Sequence, residues 1–91
     1  MKMSHTYKSA EVHGGTQRKY RFANGYGASV VRHEYSYGGS AGLWELAVLD
    51  RDGKLTYATP ITGDVVGYLT EAEVEAYLDR IAALPETDTA S

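Results

Sequence analysis

The chain has no cysteine among its 91 residues. That excludes a disulfide framework, a thiolate zinc site and a cysteine nucleophile, and it suits a reducing compartment. Proline occurs twice, as Pro60 and Pro85, so few positions are forced out of strand or helix. No apolar run is long enough to span a bilayer, and the N-terminus has no signal-like apolar core. The expectation is a soluble protein of the cytoplasm with no membrane partner. A P-loop, a nucleophile elbow and an RNP-type motif are also missing. No enzymatic activity and no cofactor are therefore expected. Nucleic acid is a poor candidate partner for a chain of net charge −3.

What the chain has is tyrosine, eight of them, with one Trp, one Phe and ten glycines. Its apolar share of 43% and charged share of 23% belong to an ordinary globular domain, and its length allows one. The charge is unevenly spread: six cations face two acids over residues 1–40, and three face ten over 41–91. Such asymmetry marks either a polar partner surface or a solvated acidic helix.

Period-two patterns predict a four-stranded antiparallel meander. The first strand, 18–23, places Tyr20 and Phe22 on one face, and Asn24-Gly25 supplies a tight turn. The second, 28–37, alternates imperfectly, which a bulge would allow. The third, 43–49, sets Trp44, Leu46 and Val48 on one face. Asp50-Arg51-Asp52-Gly53 reads as a type I turn closed by a left-handed glycine. The fourth strand, 54–59, stops at Pro60. Residues 61–69 read as a connector with one helical turn at 64–67. A helix follows. Thr70 and Glu73 have capping-box spacing and Leu69 and Val74 the staple positions. Val74, Tyr77, Leu78, Ile81 and Leu84 make one apolar stripe. The fold class is α+β: a four-stranded β-meander with one C-terminal helix on one face (ββββα). Residues 1–17 are expected to be a flexible arm or edge strand, 18–85 the domain, and 86–91 a disordered tail.

One helix cannot bury so many rings, so an aromatic sheet face is expected to contact a partner. The candidate contact residues are Tyr26, His33, Tyr35, Tyr37 and Trp44, with 35–39 the segment most expected to be exposed. The same face would serve a homodimer. A candidate acidic surface comprises Asp64, Glu71, Glu75 and Asp79. The loops at 25–27 and 38–42 have the glycine content to cradle an anion, which gives an alternative reading as a small-ligand or nucleotide binder. His5, His13 and His33 share no spacing that would make a metal site. Arg18, Lys19, Arg21 and Arg32 form a basic strip near Tyr20 and Phe22.

The segments Asn24-Gly25-Tyr26-Gly27-Ala28-Ser29-Val30-Val31, Tyr35-Ser36-Tyr37-Gly38-Gly39, Gly42-Leu43-Trp44-Glu45-Leu46-Ala47-Val48-Leu49 and Thr59-Pro60-Ile61-Thr62 with Leu69-Thr70 carry a resemblance over residues 20–84. In pattern the chain resembles small uncharacterised accessory proteins of tailed bacteriophages and prophages. The resemblance brings no functional residues with it. It implies a protein made in the bacterial host cytoplasm that binds a host protein, inhibitors of CRISPR and other defences being one such class. A virion or assembly component is the third reading.

Overall fold

Side-chain alternation and strand register together decide the layers. In the computed structural model, which describes residues 5–56 and 65–85, five strands form one antiparallel sheet. They are β1 (Tyr7–Val12), β2 (Gly15–Arg21), β3 (Gly27–Arg32), β4 (Trp44–Leu49) and β5 (Val66–Leu69), in spatial order β1-β2-β3-β4-β5. Tyr20 pairs with Ala28 and Ala28 with Val48; Arg18 pairs with Val30 and Val30 with Leu46. Tyr20, Ala28, Val30, Leu46 and Val48 therefore share one face. The helix α1 (Glu71–Ala82) lies on it and contributes Val74, Leu78 and Ile81, all at 0% exposure. Burying each such side chain stabilises the fold by about 1.5–3 kcal/mol.

The α+β class with one helix on one face stands, but the described residues form five strands. The polar segment Tyr7–Val12 pairs with β2 along its whole length, with Lys8 opposite Lys19 and Ser9 opposite Arg18, and so forms an edge strand. The β3 strand ends at Arg32, short of the expected residue 37. The buried Ser36 hydroxyl accepts from the His33 backbone N–H at 3.0 Å and donates to its carbonyl at 2.8 Å, which turns the chain out of the sheet. The bulge invoked for imperfect alternation is unnecessary, because the aberrant residues lie in a loop.

The turn at 50–53 forms as expected. Gly53 sits at φ 82°, and the Asp50 carboxylate accepts from the backbone N–H of Asp52 and Lys54. After it the sheet pairing is brief. Leu55 makes a single bridge to Leu49, and the Thr56 N–H donates to the Val48 carbonyl at 2.9 Å. The rest of the expected strand at 54–59 lies outside the described residues. The outer partner of β4 is instead Val66–Leu69, so Val66 and Gly67, expected in a helical turn, are in extended pairing.

Both ends of α1 are capped. Thr70 Oγ1 accepts from Glu73 N–H at 3.2 Å and Glu73 Oε1 accepts from Thr70 N–H at 2.8 Å. At the other end, Asn24 does more than make a turn. Its amide donates to the carbonyls of Ile81 at 2.8 Å, Leu84 at 3.0 Å and Ala82 at 3.3 Å. One side chain thereby closes the β2–β3 turn onto the helix C-terminus and satisfies carbonyls that a helix end leaves orphaned. Asn24→Ala is expected to destabilise the protein by about 1–2 kcal/mol, read as a lower urea midpoint with an unchanged slope. A loss below the error of that titration would show the cap to be dispensable. No helix among the described residues is long and apolar enough to cross a membrane.

Candidate functional site

The antiparallel order brings four segments together at one end of the sheet: the β1–β2 turn, the β3–β4 loop, the end of β5 and the start of α1. At the β1–β2 turn His13 adopts a left-handed φ of 49°. Its ring lies 5.0 Å from His33 and 5.6 Å from Tyr35, edge-on to both. The His33 Nδ1 accepts from the Tyr35 N–H at 3.1 Å. That bond makes Nδ1 an acceptor and leaves any ring proton to Nε2.

Beyond this cluster the loop presents Tyr35 at 72% exposure and Tyr37 at 62%. The Tyr37 N–H donates to Glu45 Oε1 at 2.9 Å, and its carbonyl accepts from Tyr68 N–H at 3.1 Å. A 3-10 turn over Gly39–Ala41 closes the loop between two left-handed glycines, Gly38 and Gly42. Gly38 and Gly39 are required by packing, and Gly42 by its left-handed backbone. A Cβ on Gly39 would stand 1.7 Å from the His33 carbonyl oxygen, and one on Gly38 2.8 Å from Tyr68 Cα. These hydrogens face backbone, so the loop's glycine content is accounted for without an anion.

Tyr68 is the residue that sequence reasoning missed. It lies in β5 with φ 60° and is 64% exposed. The register shifts here: Trp44 pairs with Leu69 but Leu46 with Val66, so an extra residue is accommodated in β5 and the strand bulges. A left-handed tyrosine costs on the order of 1–2 kcal/mol. Tyr68→Gly is therefore expected to raise the stability by about 1 kcal/mol, with the ring lost from the surface. Thermal unfolding of that variant checks it; an unchanged or lower melting temperature would mean that the backbone is not strained. The only signal in the sequence was the apolar run Val65-Val66-Gly67-Tyr68-Leu69, whose glycine marks a bulge.

The five candidate contact residues do not form one surface. His33, Tyr35 and Tyr37 meet at this end of the sheet. Tyr26 lies at the opposite end, in the β2–β3 turn, half-buried against the core. Trp44 is core, at 2% exposure, and its assignment to a contact surface is corrected. It shares a face with Leu46 and Val48, and two guanidinium groups cover it, Arg18 at 4.2 Å and Arg32 at 4.4 Å from the ring centroid. Arg18 makes a two-pronged pair with Glu71 at 3.0 and 3.2 Å. Burial alone would lower the Arg18 pKa, but Glu71 and Tyr20 more than offset it and hold the value above the usual one. Arg32 is exposed and has no carboxylate partner among the described residues.

Over β1 to β4 the sheet face away from the helix is not aromatic. Its strand residues are Lys8, Ala10 and Val12, then Gln17, Lys19 and Arg21, Ser29 and Val31, and Glu45, Ala47 and Leu49. The expected basic strip is split between faces. Arg18 and Arg32 stack on Trp44, while Lys19 and Arg21 join Lys8 on the other side. Thr6, Tyr7, Lys8, Lys19 and Arg21 line an open cavity of about 390 Å³ there.

The acidic helix is likewise not a free strip. Glu71 is paired with Arg18, and Asp79 accepts from or pairs with His5 Nε2 at 2.8 Å. Glu75 is half-buried, and Asp64 lies outside the described residues. Beside these groups the Tyr20 hydroxyl is buried with no hydrogen-bond partner among the described residues. Burial pushes its pKa up, nearby Arg18 offsets part of that, and the charge on Glu75 adds to the rise. The fold thus favours the protonated phenol. The resulting stability is complete below about pH 10, where unfolded tyrosine titrates, and is lost as pH rises through the higher folded value. Tyr20→Phe is expected to flatten this alkaline loss and to stabilise the protein by about 1 kcal/mol at neutral pH, since an unpaired buried hydroxyl is removed. Urea titrations at neutral pH and near pH 11 measure both effects; a destabilised variant would show that the hydroxyl has a partner.

Compared with protein-family models, with curated proteins and with solved structures, the chain finds no match.

Proposed function

We propose that the protein is a non-enzymatic interaction module that binds a bacterial host protein through the tyrosine-rich end of its sheet. The observation that carries this reading is the grouping of Tyr35, Tyr37 and Tyr68, each more than 60% exposed, at one end of a domain with a complete core. Tyrosine and arginine dominate binding hot spots because they offer large, stiff contact area with a polar tip. Arg32, exposed on Trp44, and the His13–His33 pair border the same end. Strain at Tyr68 and His13 supports the reading, since left-handed backbone at bulky residues is retained where a side chain must be aimed. A phage or prophage accessory role, including modulation or inhibition of a host defence system such as CRISPR, rests on the sequence resemblance together with this surface. The homodimer is the competing use of the same patch.

The test is affinity capture from lysates of several bacterial hosts with wild-type protein and a Tyr35→Ser variant side by side. The reading predicts a specific partner retained by the first and lost from the second. Equal recovery on both would sink it. Light scattering on the purified protein separates out the homodimer, which predicts twice the chain mass at micromolar concentration.

A second reading, small-ligand or nucleotide binding, finds support in the cavity at Lys8, Lys19 and Arg21 more than in the glycine loops. Lys8 and Lys19 are directly opposed across β1 and β2, and like charges in that position are destabilising. A phosphate-bearing ligand would relieve them. Nucleoside triphosphate or pyrophosphate should then raise the melting temperature of wild-type protein but not of Lys19→Gln; no shift with either ligand removes this reading.

A further inference from the structure

We infer that His5, Glu75 and Asp79 form a binding site for a zinc-type divalent cation that ties the segment before β1 to α1. The three side chains come from the two ends of the chain, and each offers one ligand atom, all within 4.8 Å of one another. His5 Nε2 already stands 2.8 Å from Asp79 Oδ1. Donors sharing one ion at bond lengths of about 2.0–2.2 Å lie on the order of 3–4 Å apart. Binding would open the His5–Asp79 pair slightly and draw the Glu75 carboxylate in by about 1 Å.

The donors are also held. The His5 ring packs edge-on against Phe22 at 5.2 Å, and its side chain is only 15% exposed. Glu75 and Asp79 stand four residues apart on one helix, where two like charges repel. A second feature of the site goes beyond the carboxylates. The Tyr20 hydroxyl, on a residue 1% exposed, has no hydrogen-bond partner among the described residues and lies within electrostatic reach of Glu75. A cation on Glu75 would offset the very charge that this buried group meets.

Donor chemistry selects the ion class. Calcium and magnesium take oxygen ligands, whereas an imidazole with carboxylates suits zinc and its first-row neighbours. Three protein ligands leave a coordination position for water. The consequence is mechanical. Among the described residues β1 pairs only with β2, so the ion would strengthen the attachment to the helix that His5 and Asp79 already make.

The test uses the full chain, stripped with chelator and titrated with Zn²⁺ by calorimetry and with Co²⁺ by visible absorption. One equivalent is expected to bind, with a rise in melting temperature that grows with free Zn²⁺. His5→Ala and, independently, Glu75→Gln should each weaken binding by about tenfold or more. His13→Ala/His33→Ala, which removes the competing imidazole pair at the other end of the sheet, should leave it unchanged. Should His5→Ala fail to fold, Glu75→Gln carries the test alone. The inference is overturned if wild-type protein binds neither metal, if Glu75→Gln binds as wild type does, or if the His13/His33 variant is the one that loses the ion.

Discussion

Trp44→Ala is expected to cost about 3–5 kcal/mol, the range for removing a large buried ring. Small domains carry only about 5–15 kcal/mol in total, so much of the margin goes with one side chain. The ring is 2% exposed, continues the buried face of Leu46 and Val48, and lies beneath Arg18 and Arg32. Its loss leaves a cavity and strips two guanidinium groups of their stacking surface. The pair with Glu71 then keeps Arg18 close to a hole it cannot fill. Urea denaturation monitored by far-UV circular dichroism measures the effect. A loss under 1 kcal/mol would mean that the ring is not part of the core and would return it to the list of contact residues.

Simultaneous Tyr35→Ser, Tyr37→Ser and Tyr68→Ser substitution should have the opposite profile. Exposed substitutions away from special features usually change stability by about 0.5 kcal/mol or less, and at Tyr68 serine inherits the left-handed strain without adding to it. Partner binding should fall by about thirtyfold or more, since removal of one hot-spot ring alone costs about 2 kcal/mol. The measurement is a titration of the captured partner with both proteins, paired with their melting curves. Unfolding of the triple variant would place these rings in the core; unchanged affinity would place the contact elsewhere.

Sequence pattern revealed those parts of the fold that are decided locally. The capping box at Thr70 and Glu73, the Asp50–Gly53 turn and the apolar strand β4 each depend on residues within a few positions of one another. The edge strand β1 was harder to read because its composition is polar, and it is held by ladder bonds to β2 more than by burial. The four-residue β5 strand is too short to show a period, and its bulge breaks what alternation there is. Tyr35 and Tyr37 were legible as surface residues because they run directly into Gly38-Gly39. Trp44 was misread as accessible for a non-local reason: its cover comes from arginines on β2 and at the end of β3. The meetings of His13 with His33, and of His5 with Glu75 and Asp79, arise from hairpin and helix packing and leave no trace in residue spacing.

The central claim, that the tyrosine-rich end is the contact surface, is tested most directly by site-specific photo-crosslinking. A photoreactive residue is placed at position 35, at position 68 or at position 19 on the helix-free face, and each protein is irradiated in bacterial lysate. The account predicts the same crosslinked partner band from positions 35 and 68, and none from position 19. A band from position 19 alone would contradict it and move the function to the basic face.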